Sequence, residues 1–177
     1  MDDVASGAVQ ILRTYPDVTA LLGSFPQTDT NPGFAGQPWI FKDDILIRAE
    51  GQSIVYGSSA LALVCCDAGG WGEPQPLTTP RYNRLQVDIW ADPLRDQFHN
   101  IIETSGVTRQ RIKTCFATLN FHLHRTDPDM QLWGDLRTAG CQLLTEPAAL
   151  PEPDGDGLVK ATAYYGVSVF GAVGVPT

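Results

Sequence analysis

The stretch YNRLQVDIWAD, Tyr82 to Asp92, constrains the fold of this chain more than any other. Leu85, Val87 and Ile89 recur at period two, and Arg84, Gln86, Asp88 and Trp90 fill the alternate positions. Successive side chains of an extended chain point to opposite faces, so the segment predicts a strand with one apolar and one mostly polar side. A sheet built around it is covered by helices on one face and left open to water or a neighbouring subunit on the other. Asp92-Pro93 ends the strand, because proline has no N–H for a ladder and Asp is a favoured turn or N-cap residue.

A chain of 177 residues is the size of one domain and buries roughly 70% of the surface its unfolded form exposes. We read residues 1–177 as a single domain: an N-terminal helix within 1–22, a long loop at 23–44, a sheet-and-helix core at 45–171 and a tail at 172–177. The net charge of −8, from 20 acidic and 12 basic side chains, argues against tight binding of a nucleic-acid backbone, which needs clustered Lys and Arg. It does not prevent DNA from passing nearby. The first residues carry no basic segment followed by an apolar one, and no run of about 18 apolar residues occurs, so a cytoplasm-like compartment and no membrane are expected. Cys65, Cys66, Cys115 and Cys141 lack zinc-ribbon spacing and fall in apolar patterns, which predicts buried free thiols.

Val4, Ala8, Ile11, Leu12 and Tyr15 recur at helical spacing behind Asp2 or Asp3 as N-cap; Pro16 stops the helix, and Asp17 is expected to cap one further turn. In the loop that follows, Phe25, Phe34, Trp39 and Phe41 have two readings, as part of the domain's own core or as anchors for a partner. Ile45–Ile47 and Ile54–Tyr56 are short β-prone pieces, and Ala60 to Cys66 is an apolar run suited to a buried strand that stops at Asp67. Residues 69–80 are expected to be a connection, with Trp71 packed beneath it. Leu94, Phe98 and Ile101 or Ile102 suggest a short helix. From Arg109 the stripe Ile112, Cys115, Phe116, Leu119 and Leu123 predicts the main helix, ending near Asp127-Pro128. Thr138–Glu146 and Leu158–Gly171 then form a wide-looped antiparallel hairpin, in which Val159, Ala161, Ala163, Tyr165, Val167 and Val169 alternate with polar residues. The predicted fold class is α+β, an antiparallel, mixed-order sheet of four to five strands with helices packed on one face.

No catalytic, cofactor-binding or metal-ligating set emerges. His122 and His124 point about 200° apart on a helix and have no carboxylate or Cys partner at ligand spacing, so a helix-end role fits them better than a metal site. Asp127-Pro-Asp129 and Asp154-Gly-Asp156 lack the terminal Glu of a calcium loop and are turn residues. Gly69-Gly70-Trp-Gly72 leads into EPQP, not into a helix, and cannot cradle phosphate. The serines lie in no nucleophile elbow, and the cysteines sit where burial blunts reactivity.

The run TTPRYNRLQVDIWADPLRDQFHN, the helix ending LHR and the closing GDGLVKATAYYGVSV resemble the tail terminator proteins of long-tailed, siphovirus-type actinobacterial phages, within the minor-tail and tail-completion group. The similarity begins near Ile40 and rests on pattern, without a catalytic signature. It implies a virion protein that assembles as a homohexameric ring, caps the head-proximal end of the tail tube, ends its polymerisation and joins it to the head-tail connector protein. The negative charge then suits a lumen through which DNA slides without specific binding. Under this resemblance the candidates for contacts with subunits or tube are Phe25, Phe34, Trp39, Phe41, Lys42, Asp43, Asp44 and Trp71, together with Arg84, Asp88 and Trp90 on the polar side of the central strand. A head-tail adaptor or a tail tube subunit is the neighbouring alternative. A small hydrolase or ligand-binding domain would need converging polar groups that the sequence does not show.

Overall fold

The computed structural model describes residues 3–24, 36–43, 61–71, 81–98, 100–148, 150–151 and 157–170. The element order is α1 (Val4–Leu12), α2 (Pro16–Thr19), β1 (Ile40–Lys42), β2 (Leu61–Trp71), β3 (Arg81–Ala91), α3 (Ser105–Leu123), β4 (Arg125–Trp133), β5 (Leu136–Thr145), β6 (Leu150–Pro151) and β7 (Val159–Phe170). The strands form one sheet in the order β1-β2-β3-β7-β5-β4, with β6 paired to β7 beside this path. β1 runs parallel to β2 and every other described pair is antiparallel.

The α+β class and the helix-covered face are as the alternation of β3 predicts. Leu85, Val87 and Ile89 are buried in the main core with Ala161, Ala163, Tyr165 and Val167 of β7, and α1 and α3 close over them. Among the described residues the sheet has seven strands, more than the four to five expected, because β1, β4 and the two-residue β6 carry no alternation of their own. They are short or interrupted and take their strand geometry from a neighbour already in place.

Both long helices start at side-chain caps. The Asp3 carboxylate accepts from Ser6 N at 2.7 Å, satisfying one of the donors left open at the start of α1. Thr104 caps α3, which begins four residues before Arg109 and buries Thr108, Ile112, Cys115, Leu119 and Leu123. Asp17 does not cap α2. Tyr15 is its extended N-cap and Pro16 its first residue, where a missing N–H costs nothing.

Four local expectations are corrected. Residues 93–104 contain no helix among those described: the Asp96 carboxylate accepts from Phe98 N and Asn100 N, and Leu94 O from Ile102 N. A short Asp side chain competes with helical hydrogen bonding in this way. The strand from Leu61 does not stop at Asp67 but continues to Trp71 through an irregularity between Asp67 and Gly70, where Gly69 takes φ +92. Residues 69–71 therefore belong to the sheet. The main helix ends at Leu123, before Asp127-Pro128, because His124 turns extended and accepts from Leu143 N at 3.0 Å, launching β4. Finally, Ile40–Lys42, placed in the long loop, is strand β1. The expected strands at 45–47 and 54–56 and the tail at 172–177 lie outside the described residues.

Candidate assembly surfaces

The face of the sheet opposite the helices divides into two parts. Around β1, β2 and the end of β3, Trp39, Phe41, Ala62, Val64 and Trp90 form a second buried cluster. Beside it Asp88, only 5% exposed, is held by Lys160 Nζ at 3.1 Å, by the Thr162 hydroxyl at 2.6 Å and by Gln86 Nε2 at 3.1 Å. Lys160 Nζ also lies 5.0 Å above the Trp90 ring centroid, a cation–π contact of about 0.5–1 kcal/mol. Arg84 is exposed, with its guanidinium 5.9 Å from the Tyr164 ring centroid.

Towards β5 and β4 the same face changes character. Tyr82, Met130, Leu132 and Leu144 are all more than half exposed. Register places them at one corner: Tyr82 is opposite Ser168, Met130 opposite Ala139, Leu132 opposite Arg137, and Leu144 lies over Gly166. Each exposed apolar side chain alone is ordinary, but four at one corner, beside the terminal strand β4, form a patch of the kind that marks interaction surfaces. Sequence reasoning missed them. Met130 and Leu132 follow the expected Asp127-Pro128-Asp129 turn in a stretch to which the sequence assigns no element, and only the pairing of β4 with β5 turns them to this face. For Leu144 a signal existed: in a strand, the neighbour of inward-facing Leu143 must face outward.

Of the residues singled out from the sequence, Trp39, Phe41 and Trp90 meet in the second cluster, and Asp88 is enclosed by its own chain. Lys42 pairs with Asp3 at 2.5 Å and approaches Asp43, whose backbone takes φ 63. Burial alone would raise Asp3, but the Lys42 ammonium and the bonds from Ser6 outweigh it and hold the carboxyl below its ordinary value. Arg84 keeps an exposed position on the open face. The Trp71 backbone ends β2. Phe25, Phe34 and Asp44 lie outside the described residues.

The remaining reactive groups serve the fold. Burial pushes the Cys115 and Cys141 thiols up to about 12, and Cys65 higher still. His122 Nε2 is 2.7 Å from Asp17 Oδ2, and its ring stacks on Tyr15 with centroids 3.9 Å apart, so it pins α2 to the end of α3. Glu103 binds Arg111 at 2.6 Å and accepts from Leu94 N and Thr108 Oγ1, which fastens the 93–104 segment to α3. Desolvation alone would raise Glu103, yet these bonds, Arg111 foremost, leave it below its ordinary value. Among the described residues no three His, Cys, Asp or Glu side chains come together as metal ligands, and none of the described helices is long and apolar enough to cross a membrane.

No protein-family model matches the chain, and no curated protein sequence does. A solved structure does. A chain from the structure titled "Virion of native gene transfer agent (GTA) particle" superposes with a TM-score of 0.54 at 12% identity, over 95% of this chain and 95% of that one. The two share a fold over that span.

Proposed function

We propose that this protein is a structural component of a phage-like virion and acts there as a tail terminator. The observation that carries the reading is the fold likeness, over 95% of each chain, to a chain of a gene transfer agent virion. It joins the resemblance of Tyr82–Asp92, the LHR helix end and the last strand to the terminators of long-tailed phages. In this role a homohexameric ring seats on the head-proximal end of the tail tube, stops its growth and receives the head-tail connector, while DNA passes through an acidic lumen without specific binding.

The exposed corner at Tyr82, Met130, Leu132 and Leu144, together with Arg84, is the surface we assign to contacts within the assembled virion, because a ring and its neighbours need apolar area that the free chain leaves uncovered. Asp88 does not belong to that surface. Charge reversal there acts on the fold through Lys160 and Thr162, whereas reversal at Arg84 acts on assembly.

Light scattering after size exclusion, with negative-stain imaging of the protein alone and mixed with purified tail tubes, tests the role. Six-subunit rings, free or on tube ends, are expected, and tubes stop lengthening when the protein is present. Replacing Met130 and Leu132 with Lys should remove assembly while leaving the melting temperature within a few degrees of wild type. A chain that forms no ring in either setting, or tubes that elongate regardless, overturns the reading.

A further inference from the structure

The outer flank of α3 carries a feature that no role described above uses. Val107, Gln110, Thr114, Ala117 and Phe121 are exposed and recur at intervals of three and four, so they form one stripe along the helix, separate from the buried stripe of Ile112, Cys115, Leu119 and Leu123. At its C-terminal end Phe121 projects 80% exposed, the most exposed large apolar side chain among the described residues. At its N-terminal end Leu21, Leu61, Val107, Gln110, Arg111 and Thr114 line an open, mainly apolar groove of about 260 Å³. Between knob and groove the stripe passes Ala117 beside Thr118, small enough for two helices to approach closely.

We propose that two copies of this chain pair through α3 in antiparallel fashion, each inserting Phe121 into the groove of the other. The direction of the two features decides the geometry. Knob and groove lie on the same stripe, some eleven residues or roughly 16 Å apart along the helix, and therefore face the same way. A head-to-tail series needs complementary patches that face different ways, whereas one patch containing both halves closes at two copies about a two-fold axis. Antiparallel pairing brings residue 121 of one helix level with residue 110 of the other and satisfies both sites at once. Exposed Asp17 stands beside the knob through its bond to His122, and Arg111 in the groove keeps its charge on Glu103 of its own chain, so the fit rests on the shape and apolar character of knob and groove.

This pairing is independent of the virion role. Because it closes at two copies it cannot propagate a ring, so ring contacts and α3 contacts are separable by mutation. Sedimentation equilibrium on the whole chain should show a reversible monomer–dimer step. Phe121→Asp and Thr114→Trp, both at exposed positions, should each weaken it at least about 30-fold, as loss of a buried aromatic anchor does, with unchanged melting temperatures. An equimolar mixture of the two variants provides the stringent arm. The mixed pair restores one intact Phe121–groove site, so it should associate more tightly than either variant alone. A wild-type chain that is monomeric at all concentrations, a dimer indifferent to both substitutions, or a mixture no tighter than its components overturns the proposal. Rings that persist in both variants leave the virion role standing, and loss of rings with retention of the dimer removes that role alone.

Discussion

Cys65 and Cys66 are neighbours in sequence and face opposite sides of the sheet, and their surroundings summarise how the two sides differ. Cys65 lies in the main core with Leu63, Leu85, Val87 and Tyr165 under α1 and α3. Cys66 flanks the smaller cluster of Trp39, Phe41 and Trp90, half-buried, with its thiol 3.7 Å from Asp43 O. The helix side is mainly apolar and closed over its core. The other side mixes aromatic, ionic and exposed apolar positions and closes over only part of its area. Stability therefore resides mainly on one side, and the part of the sheet surface that stays uncovered lies on the other.

The largest contrast should appear in thiol labelling of the native protein. Cys65, Cys115 and Cys141 react only when the core opens, so they should label at least about 10³-fold more slowly than Cys66. Rapid labelling of any of the three would break the distinction between closed and open sides. Next, truncation within the helix side should be costly. Leu119→Ala removes a fully buried side chain and should destabilise by about 3 kcal/mol in urea unfolding, whereas substitutions at exposed Leu132 should stay within about 0.5 kcal/mol.

Glu103 sharpens the comparison by asking how α3 holds the segment that follows β3. Glu103→Gln should cost about 2 kcal/mol, since it weakens a nearly buried ion pair and its charge-assisted bonds. The effect depends on pH. The folded carboxyl ionises below the ordinary Glu value, so its contribution is complete above that value and is lost as pH falls through the folded pKa. The gap between wild type and variant should accordingly narrow on acidification. Melting curves across the acid range measure this, and a gap that widens on acidification would assign the stabilisation to another group.

The smallest effect, and the most instructive in sign, belongs to Gly7. In an isolated helix Gly→Ala is stabilising by nearly 1 kcal/mol. In α1 a Cβ at this position would lie 2.8 Å from Trp133 O and 3.0 Å from Trp133 Cβ. Gly7→Ala should therefore destabilise by about 1–2 kcal/mol through overpacking against β4, and thermal denaturation decides the sign.

The elements legible in the sequence were those whose signal is contained in their own residues. β7 displays alternation over twelve positions and the structure buries every second one. The buried stripe of α3 and the Asp3 cap of α1 are equally local. What escaped depended on distant partners. The helical spacing of Leu94, Phe98 and Ile101 yields to the side-chain bonds of Asp96 and the grip of Glu103 on Arg111. β4 exists because β5 pairs with it, and Asp127-Pro128 sits inside that strand despite the turn its residues suggest.

The candidate surface shows the same division more sharply. The alternation of Arg84, Gln86, Asp88 and Trp90 marked the less apolar side of β3 correctly, but their burial could not be read from it. Lys160 and Thr162, 72 and 74 residues beyond Asp88, enclose that carboxylate, and Trp39 and Phe41 pack with Trp90.

Chain periodicity by itself determined the α+β class, the central strand and the side that helices cover, because amphipathicity is a property of consecutive residues. Tertiary structure alone decided which polar-side residues are enclosed, which apolar ones remain exposed at the β4–β5 corner, and that Phe121 and its groove share one helix flank. Exposure depends on what packs above a residue, and strand register and helix docking supply that from far along the chain.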